Sequence, residues 1–88
     1  MMDTSKLTEG LNKLTGLDFE QCEAQERTTG NNQPLITMTT SFQARLAAKA
    51  LGVPAADVKE LPLREYNKTC QTVFNFLFST SGEAESER

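Results

Sequence analysis

The segment from residue 63 to about residue 79 constrains the fold of this chain more than any other. Its apolar side chains recur at helical spacing, and those that share one face are Leu63, Tyr66, Cys70, Val73, Phe74 and Leu77. Such a repeat is typical of an amphipathic α-helix. Because one helix cannot bury its own apolar face, the rest of the chain must supply the elements that pack against it.

Two further helices are predicted directly upstream. Thr40 or Ser41 is the expected N-cap of the first, whose apolar face is formed by Phe42, Leu46, Ala47, Ala50 and Leu51. Gly52 is expected to end this helix in the left-handed conformation, with a positive φ. Pro54 then occupies the first position of a short helix that runs from residue 55 to about residue 61.

The N-terminal part of the chain predicts weaker helices. Leu7, Leu11 and Leu14 share a helical face, but Gly10 and Gly16 weaken it, so residues 1–13 are expected to form a short or frayed helix.

A capping box is predicted at the next helix start. Thr15 is followed three positions later by Asp18, so each side chain can bond the backbone N–H of the other residue, and the helix extends to about residue 27. The carboxylates of Glu20, Glu23 and Glu26 are expected on an exposed, solvated face of that helix.

These elements together predict an all-α fold. We expect one small domain of three to five helices over residues 1–81, followed by a disordered acidic tail at residues 82–88. Residues 35–40 alternate apolar and polar side chains from Ile36 onward and are rich in β-branched residues, which favours one short extended segment. The sequence offers no clear partner strand for it.

Composition argues against catalysis and against a bound metal or cofactor. The chain has no histidine, the usual general base and metal ligand near neutral pH, and no glycine-rich phosphate loop. Cys22 and Cys70 form no CxxC motif and are expected to be buried free thiols in a reducing cytosol. No apolar run is long enough to span a membrane, and the polar N-terminus lacks a signal peptide. We therefore expect a cytoplasmic protein that is not an enzyme and has no membrane partner.

Three aromatic side chains near the end of the last helix are the candidate protein-binding residues: Phe74, Phe76 and Phe78. They lie in residues 69–81, which carry no charge, whereas residues 1–33 are net acidic and residues 42–68 are net basic. At about 100° per residue, Phe76 lies about 160° from the other two rings, so one core cannot easily cover all three.

The same angles predict which side chains of that helix face the core and which face outward. The side chains expected to face a core made with Phe42 and Leu46 are Leu63, Tyr66, Cys70, Val73 and Leu77. Phe76, or the Phe74–Phe78 pair, then remains for a partner or for self-association, since uncovered apolar surface usually marks an interface. The alternative interpretation, that all three phenylalanines are ordinary core, stays open at this point.

Residues 48–61 suggest a second hypothesis, a helix-turn-helix DNA-binding regulator. A small Ala48, a turn Gly52 and apolar Val58 and Leu61 match the packing positions of that motif. The side chains that the presumed recognition helix would present are Pro54, Ala55, Ala56, Lys59 and Glu60. None of these makes the bidentate base contact of Arg, Asn or Gln, so no nucleic-acid partner is expected. A generic helical adaptor is a third hypothesis.

Four short segments resemble one known family. They read LTGLD at 14–18, AAKALGV at 47–53, LPL at 61–63 and VFNFLF at 73–78. Over roughly residues 11–80 the chain resembles the tail assembly chaperones of long-tailed bacteriophages and prophages. The resemblance implies a small, largely helical protein of the bacterial host cytoplasm that binds the tape-measure protein and keeps its apolar segments soluble. It also implies that the protein helps to recruit tail-tube protein and is absent from the finished particle.

Overall fold

The computed structural model describes residues 4–78, and that part of the chain consists of helices and connecting turns without a strand. The helices are α1 (Thr4–Lys13), α2 (Gly16–Thr28), a turn of 3₁₀-helix (Ile36–Met38), α3 (Thr40–Leu51), α4 (Ala55–Lys59) and α5 (Leu63–Phe78). The predicted all-α, single-domain fold is confirmed. None of the helices between residues 4 and 78 is long and apolar enough to cross a membrane.

Helix α3 is the centre of the fold because it is apolar on two sides. Its first side joins α1, α2, the 3₁₀ turn and α5 in a core cluster of Leu7, Leu11, Cys22, Ile36, Phe42, Leu46, Ala47 and Val73. Its second side joins α4 and α5 in a smaller cluster of Ala44, Ala48, Val58 and Cys70. Phe42 is fully buried, and the Phe19 ring meets it edge to face at 5.2 Å between ring centroids. Burial of one such ring contributes roughly 1.5–3 kcal/mol.

Gly10 permits an unusually close approach of α1 to α3. A Cβ atom at this position would lie 2.2 Å from the carbonyl oxygen of Ala50. Leu7 and Leu11 are buried on either side of this crossing. The low helix propensity of Gly10 predicts a weakened α1, whereas in the structure α1 is continuous through this residue. The missing side chain lets α1 and α3 come into contact.

Two predicted helix caps, at the start of α2 and at the end of α3, are present in the structure. The predicted capping box is confirmed: the Thr15 backbone N–H donates to the Asp18 carboxylate at 2.9 Å, and the Asp18 N–H donates to the Thr15 hydroxyl at 3.3 Å. The bond from the Thr15 N–H also lowers the pKa of Asp18. Gly52 ends α3 with φ 73°, as predicted. The Val53 N–H then reaches the carbonyl of Ala48 at 3.0 Å, which is the Schellman geometry.

The extended segment predicted near residues 35–40 is wrong. Ile36–Met38 forms a 3₁₀ turn, in which the Met38 N–H donates to the Leu35 carbonyl and the Thr39 N–H to the Ile36 carbonyl. A lone strand would leave its backbone groups without partners, and these local bonds supply them.

Thr39, rather than the predicted Thr40 or Ser41, caps α3, since its hydroxyl accepts the Phe42 N–H.

Helix α4 begins at Ala55, with Pro54 as its N-cap in extended backbone conformation rather than at its first helical position as predicted. The short helix and the last helix otherwise differ from the prediction only at their C-terminal ends. Helix α4 ends at Lys59, two residues before the predicted end at Leu61. Helix α5 is followed as far as Phe78. The predicted end near Ser79 and the predicted acidic tail at 82–88 lie outside the described residues.

Candidate functional site

The last two turns of α5 place the three candidate phenylalanines on different sides of the helix. Val73 is fully buried and Leu77 packs against the first core cluster, so this edge of the helix faces inward. Phe76 is 40% exposed and Phe78 is 43% exposed, while Phe74 is half-buried. The rings of Phe74 and Phe78 contact each other with centroids 5.0 Å apart. The expectation that one core does not cover all three rings is therefore confirmed.

One member of the predicted core-facing line does not face the core. Leu63, the first residue of α5, is 73% exposed. The physical reason is that Leu61, on the other side of Pro62, packs against the second cluster together with Tyr66. The apolar space at this end of the helix is thus filled by a residue outside the helix.

The Phe76 side chain borders an apolar groove of about 240 Å³ between the end of α1, the start of α2 and the end of α5. Its lining residues are Leu11, Leu14, Thr15, Gly16, Phe19, Leu46, Phe76 and Leu77. No lining side chain is charged. We call this feature the Phe76 groove. The space around Gly16 is open, because a Cβ atom built there would meet nothing within 4 Å.

An exposed leucine lies next to the groove in sequence. Leu17, in the first turn of α2, is 64% exposed and directly follows the rim residue Gly16. Concave apolar surface lined by leucine and phenylalanine, with an exposed aromatic ring at its edge, is the kind of surface that receives apolar side chains of a partner.

The opposite side of α5 carries a more polar hollow. Met38 and Phe74 line it together with the polar side chains of Thr40, Gln43, Asn67 and Gln71 and with Cys70. Met38 is 48% exposed. Because amide and hydroxyl groups dominate this lining, covering the polar hollow with a partner would release less free energy than covering the Phe76 groove. The two faces of the phenylalanine cluster are thus chemically different.

Glu26 contradicts the expectation that the acidic series of α2 is solvated. Its side chain is fully buried. The Nε–H of Arg45 in α3 donates to its Oε2 at 2.6 Å, and the Asn31 amide donates to its Oε1 at 3.0 Å. Lys59 of α4 places its Nζ 3.8 Å from the same Oε2. Three elements that are distant in sequence therefore meet at one carboxylate.

The environment of Glu26 keeps it ionised. Burial by itself raises the pKa of this carboxyl, but the hydrogen bonds from Asn31, Arg45 and Ser41 and the charge of Lys59 together outweigh it, so the pKa lies below its ordinary value. The sequence does contain a signal for this burial. Glu26 falls on the same helical stripe as Phe19 and Cys22, at spacings of seven and four, and that stripe faces the core.

The two cysteines and the carboxylates of residues 4–78 were the remaining candidates for reactive or metal-binding groups. Cys22 and Cys70 are buried and free, and burial raises the pKa of both thiols. Among residues 4–78, no three side chains of His, Cys, Asp or Glu are grouped so that they could hold a metal ion.

The α3–α4 corner bears on the helix-turn-helix hypothesis. Helix α4, in the place of a recognition helix, has five residues. Its Lys59 donates to the Ser41 hydroxyl at 2.8 Å and lies 3.8 Å from the buried Glu26 carboxylate, so part of its charge is balanced within the protein. The motif positions therefore serve the packing of α4 on α3, and α4 offers little to a phosphate backbone.

Comparison with known proteins gives no match to the chain, either among protein families, among curated proteins or among solved structures.

Proposed function

We propose that this protein binds apolar helical segments of another protein in the Phe76 groove, and that it serves as a tail assembly chaperone of a long-tailed bacteriophage or prophage. The observation that carries the proposal is the exposure of Phe76 beside an apolar groove without a charged lining residue. A partner helix would cover the ring and place its own apolar side chains between α1, α2 and α5.

The energetics favour such a contact. Full burial of one phenylalanine contributes roughly 1.5–3 kcal/mol, so covering the exposed 40% of Phe76 contributes about 0.6–1.2 kcal/mol. An amphipathic helix can present further anchors to a groove of this kind, at spacings of three and four residues. Contiguous apolar surface on a small domain is also a liability when it stays uncovered. Binding an apolar segment would cover the apolar surface of this chain and that of the partner, because each surface removes the other from water.

The resemblance to tail assembly chaperones supplies the identity of the partners. Its closing segment, residues 73–78, contains Phe76, and its first segment, residues 14–18, contains three residues of the groove lining: Leu14, Thr15 and Gly16. Two of the four resembling segments thus meet at the groove. On this basis the bound segment belongs to the tape-measure protein, with tail-tube protein recruited to the complex in the host cytoplasm.

The proposal is tested with peptides from the tape-measure protein of the same genome, whose gene it predicts directly downstream of this one. Overlapping apolar peptides are titrated with the full chain, and Kd is measured by fluorescence anisotropy. Phe76→Ser is expected to weaken binding by about three- to eightfold, because covering the exposed 40% of this residue contributes about 0.6–1.2 kcal/mol. Phe78→Ser, an equal change on the other face of α5, is the matched control and is expected to bind like the wild type.

Each outcome has a distinct meaning. Equal weakening by both substitutions, in folded proteins, would remove the Phe76 groove as the binding surface. Binding of unrelated amphipathic helices with the same affinity as tape-measure peptides would favour a generic helical adaptor over a tail assembly chaperone. Absence of any binding would contradict the proposal as a whole.

A further inference from the structure

Helix α4 packs along α3 but contributes a single buried side chain to the core. It has five residues, and Val58 is its one buried side chain. Gly52 in the left-handed conformation precedes it and Pro62 follows it, so the chain bends on both sides. A helix this short has little stability of its own, and its position depends on what holds it against α3.

The surface beneath α4 is apolar. Val58 packs against Ala44 and Ala48 of α3 and Cys70 of α5, and Ala55 and Leu61 close the edges of this cluster. Leu63, 73% exposed, stands directly beside Leu61 across Pro62. Removing α4 would join the uncovered alanines and Cys70 to these leucines in one continuous apolar surface, separate from the Phe76 groove.

A charged contact holds α4 in place over this surface. The Lys59 Nζ donates to the Ser41 hydroxyl at 2.8 Å and lies 3.8 Å from Oε2 of Glu26. Glu26 is itself fixed from two other directions, by Arg45 and by Asn31, and does not move with α4. The carboxylate is therefore a fixed anchor, and Lys59 is the part of α4 that engages it.

We propose that α4 is a lid over the second core cluster, latched to the buried Glu26 carboxylate through Lys59, and that it opens without unfolding the rest of the protein. The open form exposes Ala44, Ala48 and Cys70 beside Leu61 and Leu63. Such a sub-global opening exposes only the side chains of the smaller second cluster and breaks few hydrogen bonds. It therefore requires less free energy than unfolding of the first cluster. The lid gives the chain a second apolar surface that is concealed while the latch is closed.

Native-state hydrogen exchange of the full chain tests the lid. The reporters are the amides of Glu60 and Leu61, which bond the carbonyls of Ala56 and Val58 at 2.9 and 3.2 Å, compared with the amide of Val73 inside α5. In the wild type the two lid amides are expected to exchange faster than Val73 and with a much weaker dependence on urea. Lys59→Met is expected to accelerate their exchange by about tenfold, the effect of one lost charged hydrogen bond.

The matched control is Lys68→Met, the same change at an exposed position of α5. It is expected to leave the lid amides unchanged. Labelling of the Cys70 thiol, located by peptide mass spectrometry, is expected to rise in Lys59→Met above its wild-type rate together with the exchange rates, because Val58 packs in the same cluster as Cys70. The wild-type rate accounts for access through the polar hollow that Cys70 also lines.

Three results would overturn the lid. Equal urea dependence for Val73 and the lid amides in the wild type would mean that α4 opens only when the whole domain unfolds. Unchanged exchange in Lys59→Met would mean that Val58 packing holds α4 without the latch. Equal acceleration in Lys68→Met would assign the effect to the loss of any positive charge.

Discussion

Replacement of Gly10 by alanine is the most direct test of how α1 is placed. An added Cβ would lie 2.2 Å from the carbonyl oxygen of Ala50 and 2.8 Å from its carbonyl carbon. Both atoms belong to the backbone of α3, which is held by its own helical hydrogen bonds and cannot move aside as a flexible side chain would. The strain must therefore be relieved by moving α1 away from α3.

The magnitude follows from two opposing effects. Overpacking a rigid contact costs about 3 kcal/mol, the upper end of the usual range, because backbone atoms are involved on both sides. Alanine gains about 1 kcal/mol over glycine in helix propensity. The net loss of folding free energy is about 2 kcal/mol, which corresponds to a fall in Tm of roughly 8–16 °C for a domain of this size.

Thermal melts followed by circular dichroism measure the effect. Gly16→Ala is the matched control, because an added Cβ there meets nothing within 4 Å, and its Tm is expected to stay the same or to rise slightly. A Gly10→Ala protein that melts at or above the wild-type temperature would refute the close crossing of α1 and α3, and the groove wall supplied by Leu11 would then lose its basis.

Three other predictions concern separate parts of the fold. Gly52→Ala is expected to destabilise by about 1 kcal/mol, because φ is 73° at the end of α3, and a melt with unchanged Tm would contradict the cap. Leu77→Ala is expected to cost about 2 kcal/mol in urea unfolding, the low end for leucine, since this side chain is partly buried; an unaffected midpoint would place it outside the core. Glu26→Gln is expected to cost about 2–3 kcal/mol at pH 7, somewhat less than a completely buried pair because Arg45 remains partly exposed. Folding lowers the pKa of Glu26, so the stability that its ionised carboxylate contributes is present above its unfolded pKa and is lost as pH falls through its folded pKa. The loss of stability in acid is therefore expected to be smaller in Glu26→Gln than in the wild type. Identical pH profiles of stability would refute a stabilising role of the ionised carboxylate.

Local sequence signals located the helices well. The capping box at Thr15, the left-handed Gly52 and the apolar stripe of α5 each depend on a few neighbouring residues, so the sequence alone is sufficient to predict them. The alternation at 35–40 predicts Ile36 and Met38 on one face of a strand, whereas the 3₁₀ turn separates them, with Ile36 buried and Met38 48% exposed. The choice depends on the burial of Ile36 in the first core cluster. That burial is a tertiary event.

The candidate site was predictable only in part for the same reason. The angular separation of Phe76 from Phe74 and Phe78 follows from helix geometry, and the exposures agree with it. The other walls of the groove belong to α1 and α2, and their positions depend on the crossing at Gly10. The burial of Glu26 likewise requires Arg45 and Lys59 to arrive from two other helices.

The Phe76 groove and the stability of the fold are coupled because they share side chains. Leu11 and Leu46 are buried members of the first core cluster and also line the groove, where Leu77 joins them. A helix bound there, as proposed, would pack against the core itself and would bind the folded chain in preference to the unfolded one. At a concentration one hundred times its Kd, such a partner adds about 2.7 kcal/mol to the folding free energy, which raises Tm by roughly 10–20 °C. By the same coupling, a core substitution such as Leu77→Ala is expected to weaken binding as well as folding, whereas Phe76→Ser, at a residue that is 40% exposed, is expected to weaken binding with a smaller loss of stability than Leu77→Ala.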